Sequence, residues 1–294
     1  MKIKIPATSA NLGPGFDSLG LALKLYNEVI IKPSNSLYIE ITGEGSNKAN
    51  IKKNNSFINI FYEVYEELTS KKDNFSFSFN NNIPFSRGLG SSSSVVVGAI
   101  ASAYYLTKFK VDKDVILNKA LDYENHPDNI APAVFGGFVV SIVHEGKVIK
   151  IEKKLPNSIS AVVVIPNKSI STQISRTLLP KEFSMQDMIF NLSHASLLSS
   201  AFMSEKWDVL SVAAKDKIHE DKRMSLMPEL SQIRKIAYDN GALMSTLSGS
   251  GSTFFNLTYK ENSKKLHEAL QKRFDEFRVL ELEFDNDGFI ISHE

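Results

Sequence analysis

Cysteine is absent from the 294 residues, which excludes disulfides, thiolate zinc sites and cysteine nucleophiles together. Charge of either sign is never concentrated: 34 Lys and Arg against 33 Asp and Glu leave a formal net charge of +1. With no polybasic tract and no acidic tail, nucleic acid is not the expected partner. Long hydrophobic runs are missing too. The longest, Val95 to Leu106, is too short and too rich in small residues to span a bilayer. The first residues, MKIKIPATSANLGPG, lack the apolar stretch of a signal peptide. The expected location is the cytoplasm, with no membrane partner. Arginine is scarce: Arg87, Arg176, Arg223, Arg234, Arg273 and Arg278 stand among 34 basic residues. A chain that uses lysine for generic positive charge keeps arginine where a planar fork must grip a carboxylate or phosphate.

What is present is an ordinary globular composition, 43% hydrophobic and 23% charged, enough for one large domain or two ordinary ones. Residues 2–6 alternate as a strand, and a loop dense in Gly, Pro, Asn and Ser follows. LYNEVIIKP, SLYIEIT and NFSFSFN read as strands, and SFINIFYEVYEEL has helical spacing. Asp112 opens an amphipathic helix, and FVVSIV with KVIKIEK forms a hairpin about Glu145–Gly146. Leu155 to Ser160 is the candidate boundary, giving units 1–155 and 156–294. The second unit has a buried strand ISAVVVIP, helices over 184–203 and 228–239, a glycine loop between two strands, and a helix near 262–273. A strand pair over 277–292 closes the chain. The mixture is α+β.

Four stretches could carry chemistry. In PFSRGLGSSSS, Gly88 and Gly90 precede Ser91, Ser92, Ser93 and Ser94 and a long apolar helix. Serine hydroxyls there can satisfy unpaired N–H groups of a first helical turn. Backbone N–H groups and the positive helix end also favour a phosphate. The stretch is neither a Walker A sequence nor a dinucleotide fingerprint, so a phosphate cradle and a plain capped helix both fit. In ENHPDN, Glu124 could bind a metal, and His126 and Asp128 a substrate; a polar turn with Pro127 opening a helix fits equally. SGSGS, residues 248–252, is either a tight hairpin or a loop packed beside a phosphate loop. In ATSANLGPGFDSLG, Asn11 and Asp17 could hold an amino acid, the carboxylate meeting an ammonium group, or form an ordinary loop.

Taken in order, the four stretches resemble the GHMP kinases, small-molecule kinases acting on galactose, homoserine, mevalonate and phosphomevalonate. PFSRGLGSSSS matches that family's phosphate loop and TLSGSGSTFF its C-terminal glycine motif. KIPATSANLGPGFDSLGLAL and HPDNIAPAVFGGF are similar to the members that act on homoserine. Ser93 and Ser94 stand where relatives often carry alanine. The resemblance runs from residue 3 to about 258.

It implies an α+β GHMP kinase fold, with a first half like ribosomal protein S5 domain 2 and a ferredoxin-like second half. It implies ATP at Pro84, Arg87, Gly88, Leu89, Gly90 and Ser91 to Ser94, and Mg2+ at Ser92 and Glu124. Gly249, Ser250 and Gly251 would support the phosphate loop. The amino-acid substrate would meet Asn11, Asp17, His126, Thr172, Arg176 and Arg223. The implied reaction is phosphorylation of the homoserine hydroxyl, a step of threonine biosynthesis, by a chain that relatives suggest forms a homodimer. No general base is assigned, and part of the adenine pocket is placed at residues 55–59. A GHMP kinase for another alcohol and a non-catalytic nucleotide-binding regulator are the competing readings. Paired arginines and the Asn11/Asp17 loop favour an amino acid over the first, and the presence of Glu124 speaks against the second.

Overall fold

The structure is a computed structural model and describes residues 1–170 and 172–293. The strands are β1 (Lys2–Ala10), β2 (Leu19–Pro33), β3 (Tyr38–Gly43), β4 (Phe75–Asn81), β5 (Phe138–His144), β6 (Lys147–Lys153), β7 (Ile159–Ile165), β8 (Ala242–Leu247), β9 (Phe254–Tyr259), β10 (Arg278–Leu282) and β11 (Ile290–Ser292). The helices of the first half are α1 (Ala49–Lys53), α2 (Ser56–Thr69), α3 (Ser91–Leu106), α4 (Lys113–Ala120) and α5 (Pro127–Phe135). Those of the second are α6 (Thr172–Thr177), α7 (Met185–Ser204), α8 (Leu210–Ala213), α9 (Glu220–Met224), α10 (Glu229–Asp239) and α11 (Ser263–Arg273).

The strands form two sheets. In the first, the order is β11-β1-β2-β4-β3, and β5 joins β2 and carries β6; only β3 and β4 run parallel. The second has the antiparallel order β10-β7-β9-β8. With helices between β7 and β8 and between β9 and β10, that is a ferredoxin-like β-α-β-β-α-β arrangement. β7 shows why it lies at the centre. Every residue from Ile159 to Ile165 is buried. Ala161, Val163 and Ile165 pack into the core shared with β2, β5 and α7, while Val162 and Val164 pack under α10 and α11. A strand buried on both faces must be apolar throughout, which is what ISAVVVI supplies. In the first half, Phe57 and Phe61 of α2 pack edge to face on Phe75, Phe77 and Phe79 of β4. Each ring buried in this way contributes about 1.5–3 kcal/mol.

Two expectations need correction. The closing strand pair does not pair with itself: β10 joins β7, and β11 returns to β1 in the first sheet. Phe284 bridges Leu23, and Phe289 is buried in the first-half core. A division at 155/156 therefore separates the chain but not the sheets, because the last residues of 156–294 complete the first one. Nor do serine side chains cap α3. Its N-cap is Gly90, in the left-handed region at φ 67°, and no side chain caps the helix. Gly90 is required there because a Cβ would lie 1.9 Å from Thr8 Oγ1.

Candidate active site

A cleft of about 810 Å³ opens where the N terminus of α3 meets the loop after β1 and the turn before α5. It is lined by Asn11, Asp17, Pro84, Arg87 to Ser94, Glu124, His126, Arg176, Arg223, Gly249 and Ser250. Gly251 lies behind it, where its N–H donates to the Ser248 carbonyl at 2.8 Å. Thr172 belongs to α6, but its side chain lies outside what the structure describes.

With no side chain capping α3, the N–H groups of its first turn are left for an anion in the cleft. The serines divide their work. Ser92 is exposed in the cleft, Ser91 is half-buried, and Ser93 and Ser94 are buried. The Ser93 hydroxyl donates to Glu124 Oε2 at 2.5 Å. The Ser94 hydroxyl donates to the Ser91 carbonyl and accepts from Asn27. Leu89 turns its side chain into the core. The Arg87 guanidinium donates to the carbonyls of Phe85, Pro166 and Asn167. Its fork thus staples the loop to the second half, which leaves the backbone of that loop facing the cleft.

The second glycine loop packs directly on the first. A Cβ on Gly88, at φ 77°, would lie 2.0 Å from the Ser248 carbonyl. The Ser248 hydroxyl donates to the Gly88 carbonyl at 2.6 Å, and the Thr253 N–H to the Arg87 carbonyl at 3.0 Å.

Beside the loop lies a cluster of charge. Asp17 Oδ1 is 2.7 Å from Arg176 Nη2, and its other oxygen is 3.4 Å from His126 Nδ1. The Asn11 side chain accepts the Asp17 N–H at 3.0 Å and donates to the Gly249 carbonyl. Arg223 is buried, and its Nη1 donates to that same carbonyl at 3.1 Å. Burial, then the neighbouring Arg176, lower the Arg223 pKa to about 10. His126 caps α5 by position, with Pro127 opening the helix and Asp128 in its first turn. The turn expected of HPDN and the cleft position of its side chains are therefore both real. Burial lowers the His126 pKa.

Two carboxyl groups in the cleft have their pKa values raised. Burial raises the Glu124 pKa, offset in part by hydrogen bonds from Ser93 and Ser92. Among the described residues Glu124 forms no ion pair. Asp128 is pushed up to about 7, first by burial and then by the charges of Asp17 and Glu124. Sequence reasoning noted Asp128 without assigning it to the site, and passed over Asn129 and Phe16. Asn129 lines the cleft and accepts the Thr8 hydroxyl at 2.7 Å. Phe16 sits under both Arg176 and Arg223, 5.4 Å and 5.2 Å from ring centre to guanidinium. The signal for Asn129 was its place in the first turn of α5; for Phe16, no sequence signal distinguished it from a core aromatic.

An anion-ready helix end sharing a cleft with a cluster of carboxylates and arginines defines a small-molecule kinase. The family profile of the GHMP kinases N terminal domain matches residues 56–137, and that of the GHMP kinases C terminal domain matches 199–276. Homoserine kinase of Campylobacter jejuni is 58% identical over 291 residues, covering 99% of this chain and all of the relative. That of Campylobacter lari is 56% identical over the same length, with the same coverage. The crystal structure of homoserine kinase from Cytophaga hutchinsonii superposes with a TM-score of 0.87 at 25% identity, over 99% of this chain and 96% of that one. The chain belongs to the homoserine kinase family.

Proposed function

We propose that the chain transfers the γ-phosphoryl group of ATP to the side-chain hydroxyl of L-homoserine, releasing ADP and O-phospho-L-homoserine. The observation that carries this is the sharing of one cleft by an uncapped helix N terminus and the Asp17–Arg176–Arg223 cluster. A zwitterionic amino acid fits such a cluster: its ammonium group meets Asp17 and its carboxylate meets Arg176 and Arg223. His126 and Asn11 hold the Asp17 end, and Thr172 is placed with the substrate on the resemblance alone. Residues 88–94, flanked by Pro84 and Arg87, cradle the ATP phosphates, and Gly249 to Gly251 support them from behind. Asn54 and Asn55 line the same cleft and extend it toward an adenine.

Magnesium fits the residues present. Glu124 is a half-buried carboxylate with hydroxyls beside it and, among the described residues, no cationic partner, a sparse oxygen set of the kind Mg2+ accepts when phosphates supply further ligands. Glu124 and Ser92 would hold it, and it would neutralise phosphate charge. The chain's own part is positioning. The substrate hydroxyl attacks phosphorus in line as the bond to the β-phosphate oxygen breaks. Loop N–H groups and the α3 terminus stabilise charge on the equatorial oxygens. A loose transition state places little demand on a base, and no residue is assigned that role. The same reading places the enzyme in the cytoplasm, where ATP and magnesium are supplied, and among the described residues no helix is long and apolar enough to cross a membrane. It also includes a homodimer, which sedimentation of the purified protein tests.

The deciding assay is ADP release with ATP and magnesium, offering L-homoserine, L-serine, L-threonine and mevalonate separately. Turnover with homoserine alone is expected. Turnover with mevalonate and not with homoserine would overturn the amino-acid reading while leaving the phosphate loop in place.

A further inference from the structure

Arg223 owes its orientation to a residue outside the substrate cluster. Its Nη1 has two hydrogens, and both are engaged: one by the Gly249 carbonyl, the other by His219 Nδ1 at 3.1 Å. His219 is fully buried at the turn that opens α9. Its Nε2 lies 2.8 Å from the Gly13 carbonyl. A carbonyl only accepts and a guanidinium only donates. Nε2 therefore carries the proton, Nδ1 is the acceptor, and the ring is neutral. A second proton would point an N–H at the guanidinium.

The charged groups that act on the ring are Asp216, whose Oδ1 is 3.9 Å from Nε2, Asp17 and Arg223. Burial and Arg223 outweigh the two carboxylates and hold the ring pKa well below its usual range. The Phe16 ring packs 5.1 Å from the imidazole, so His219 and Arg223 share one aromatic support. Asp216 fixes the turn by accepting the N–H groups of Ile218, His219 and Glu220.

We propose that His219, locked as the Nε2–H tautomer by Gly13, is a positioning residue for the amino-acid substrate. It sets the Arg223 guanidinium through Nδ1, while the Gly13 carbonyl fixes which ring nitrogen carries the proton. The proposal rests on the reading of Arg223 as a carboxylate contact.

Two substitutions separate the two ring nitrogens. Asparagine places an amide oxygen near the position of Nδ1, so His219→Asn keeps an acceptor for Arg223 and loses the tie to Gly13. Glutamine places an amide nitrogen near Nε2, so His219→Gln does the reverse. The expected result is a homoserine KM raised about ten- to a hundredfold in His219→Gln, the effect of losing one hydrogen bond to a charged group. The KM for ATP stays unchanged, and His219→Asn retains most of the wild-type value. In an Arg223→Ala background, His219→Gln adds nothing further, since both changes then act on one interaction. An unchanged homoserine KM in His219→Gln, equal losses in the two variants, or additive losses with Arg223→Ala would overturn the proposal. Arg223→Ala with an unchanged homoserine KM would instead remove the carboxylate reading beneath it. Nitrogen-15 shifts of His219 in the unmutated protein give a second readout, independent of how any variant folds. They should show a protonated Nε2 and a bare Nδ1; the other tautomer or a charged ring would overturn the assignment.

Discussion

On the proposed assignment Asp17 and Arg176 are the two ends of an amino-acid clamp, and they pair with each other, so Arg176→Ala is an informative change. Arg176 Nη2 sits 2.7 Å from Asp17 Oδ1. Under that assignment a zwitterion entering this pair would give its ammonium group to Asp17 and its carboxylate to Arg176, so one ion pair would be exchanged for two. A ligand with only one charge exchanges one pair for one and strands the other partner. Removing Arg176 therefore acts oppositely on two substrates. For homoserine it deletes a charged hydrogen bond, intrinsically about 1.5–3 kcal/mol. The side chains of Arg176 and Asp17 are 38% and 26% exposed, so solvent screening brings this to about 1–2 kcal/mol, or roughly five- to thirtyfold in KM. For 3-amino-1-propanol, which lacks the carboxylate, the substitution only removes a competitor for Asp17, and its KM should stay level or fall. The assay is steady-state ADP release with each alcohol at saturating ATP, and with ATP varied at saturating homoserine. Parallel increases for the two alcohols, or an equal increase for ATP, would refute the argument, because neither follows from losing a carboxylate contact.

Three further outcomes are expected. Glu124→Gln should shift the magnesium dependence of turnover to higher concentration, since it removes a half-buried carboxylate that has hydroxyl partners and, among the described residues, no counter-ion; an unchanged magnesium titration would place the metal elsewhere. Asp128→Asn should change stability relative to wild type as pH rises. The folded-state pKa of Asp128 is raised to about 7, so its contribution is fully present below the unfolded value near 3.9 and is lost as pH climbs through 7. Melting temperatures from pH 5 to 8 should show the variant gaining on wild type, and a constant gap would contradict the buried placement. Gly90→Ala forces a left-handed alanine, about 1–2 kcal/mol, and drives a Cβ into Thr8 Oγ1. Unfolding several degrees lower is expected by calorimetry, with weakened turnover because Thr8 holds Asn129; wild-type stability would show that the loop relaxes.

What could be read from sequence was chemistry confined to short stretches. GLGSSSS announced an anion-ready helix end and SGSGS a glycine loop, because Gly, Ser and helix termini carry their meaning locally. Asp112 does cap α4, and Glu145–Gly146 does turn the β5–β6 hairpin. What escaped was set by partners far along the chain. β10 and β11 look like one hairpin, yet each finds a better-buried neighbour in a different sheet. The serines look like caps, but a glycine occupies the cap position because Thr8 leaves no room for a side chain. Scarcity marked Arg87, Arg176 and Arg223 alike, yet Arg87 spends its fork on carbonyls 79 and 80 residues away. Composition can say that an arginine needs a planar partner, but not whether the partner is a ligand or the chain itself.

The proposed acceptor and donor sites are linked through a single carbonyl. Gly249 lies in the loop that packs on the phosphate loop, and its carbonyl accepts from both Asn11 and Arg223, two residues of the substrate cluster. Its N–H donates to the Ala10 carbonyl, at the end of β1 just before the Asn11–Asp17 loop. Through Ser248 and Gly88 the same loop fixes the proposed phosphate cradle. In-line transfer requires the substrate hydroxyl and the γ-phosphorus to be aligned to within about an ångström, and a misplacement of that size costs on the order of 10²-fold. An enzyme with separate supports for acceptor and donor would need each to be rigid independently. Here both are referred to one short loop, so a displacement of that loop carries acceptor and donor together and preserves their separation. A substitution that frees one support from that loop, such as Ser248→Ala, which removes the hydroxyl donated to the Gly88 carbonyl, should then lower kcat more than it raises either KM.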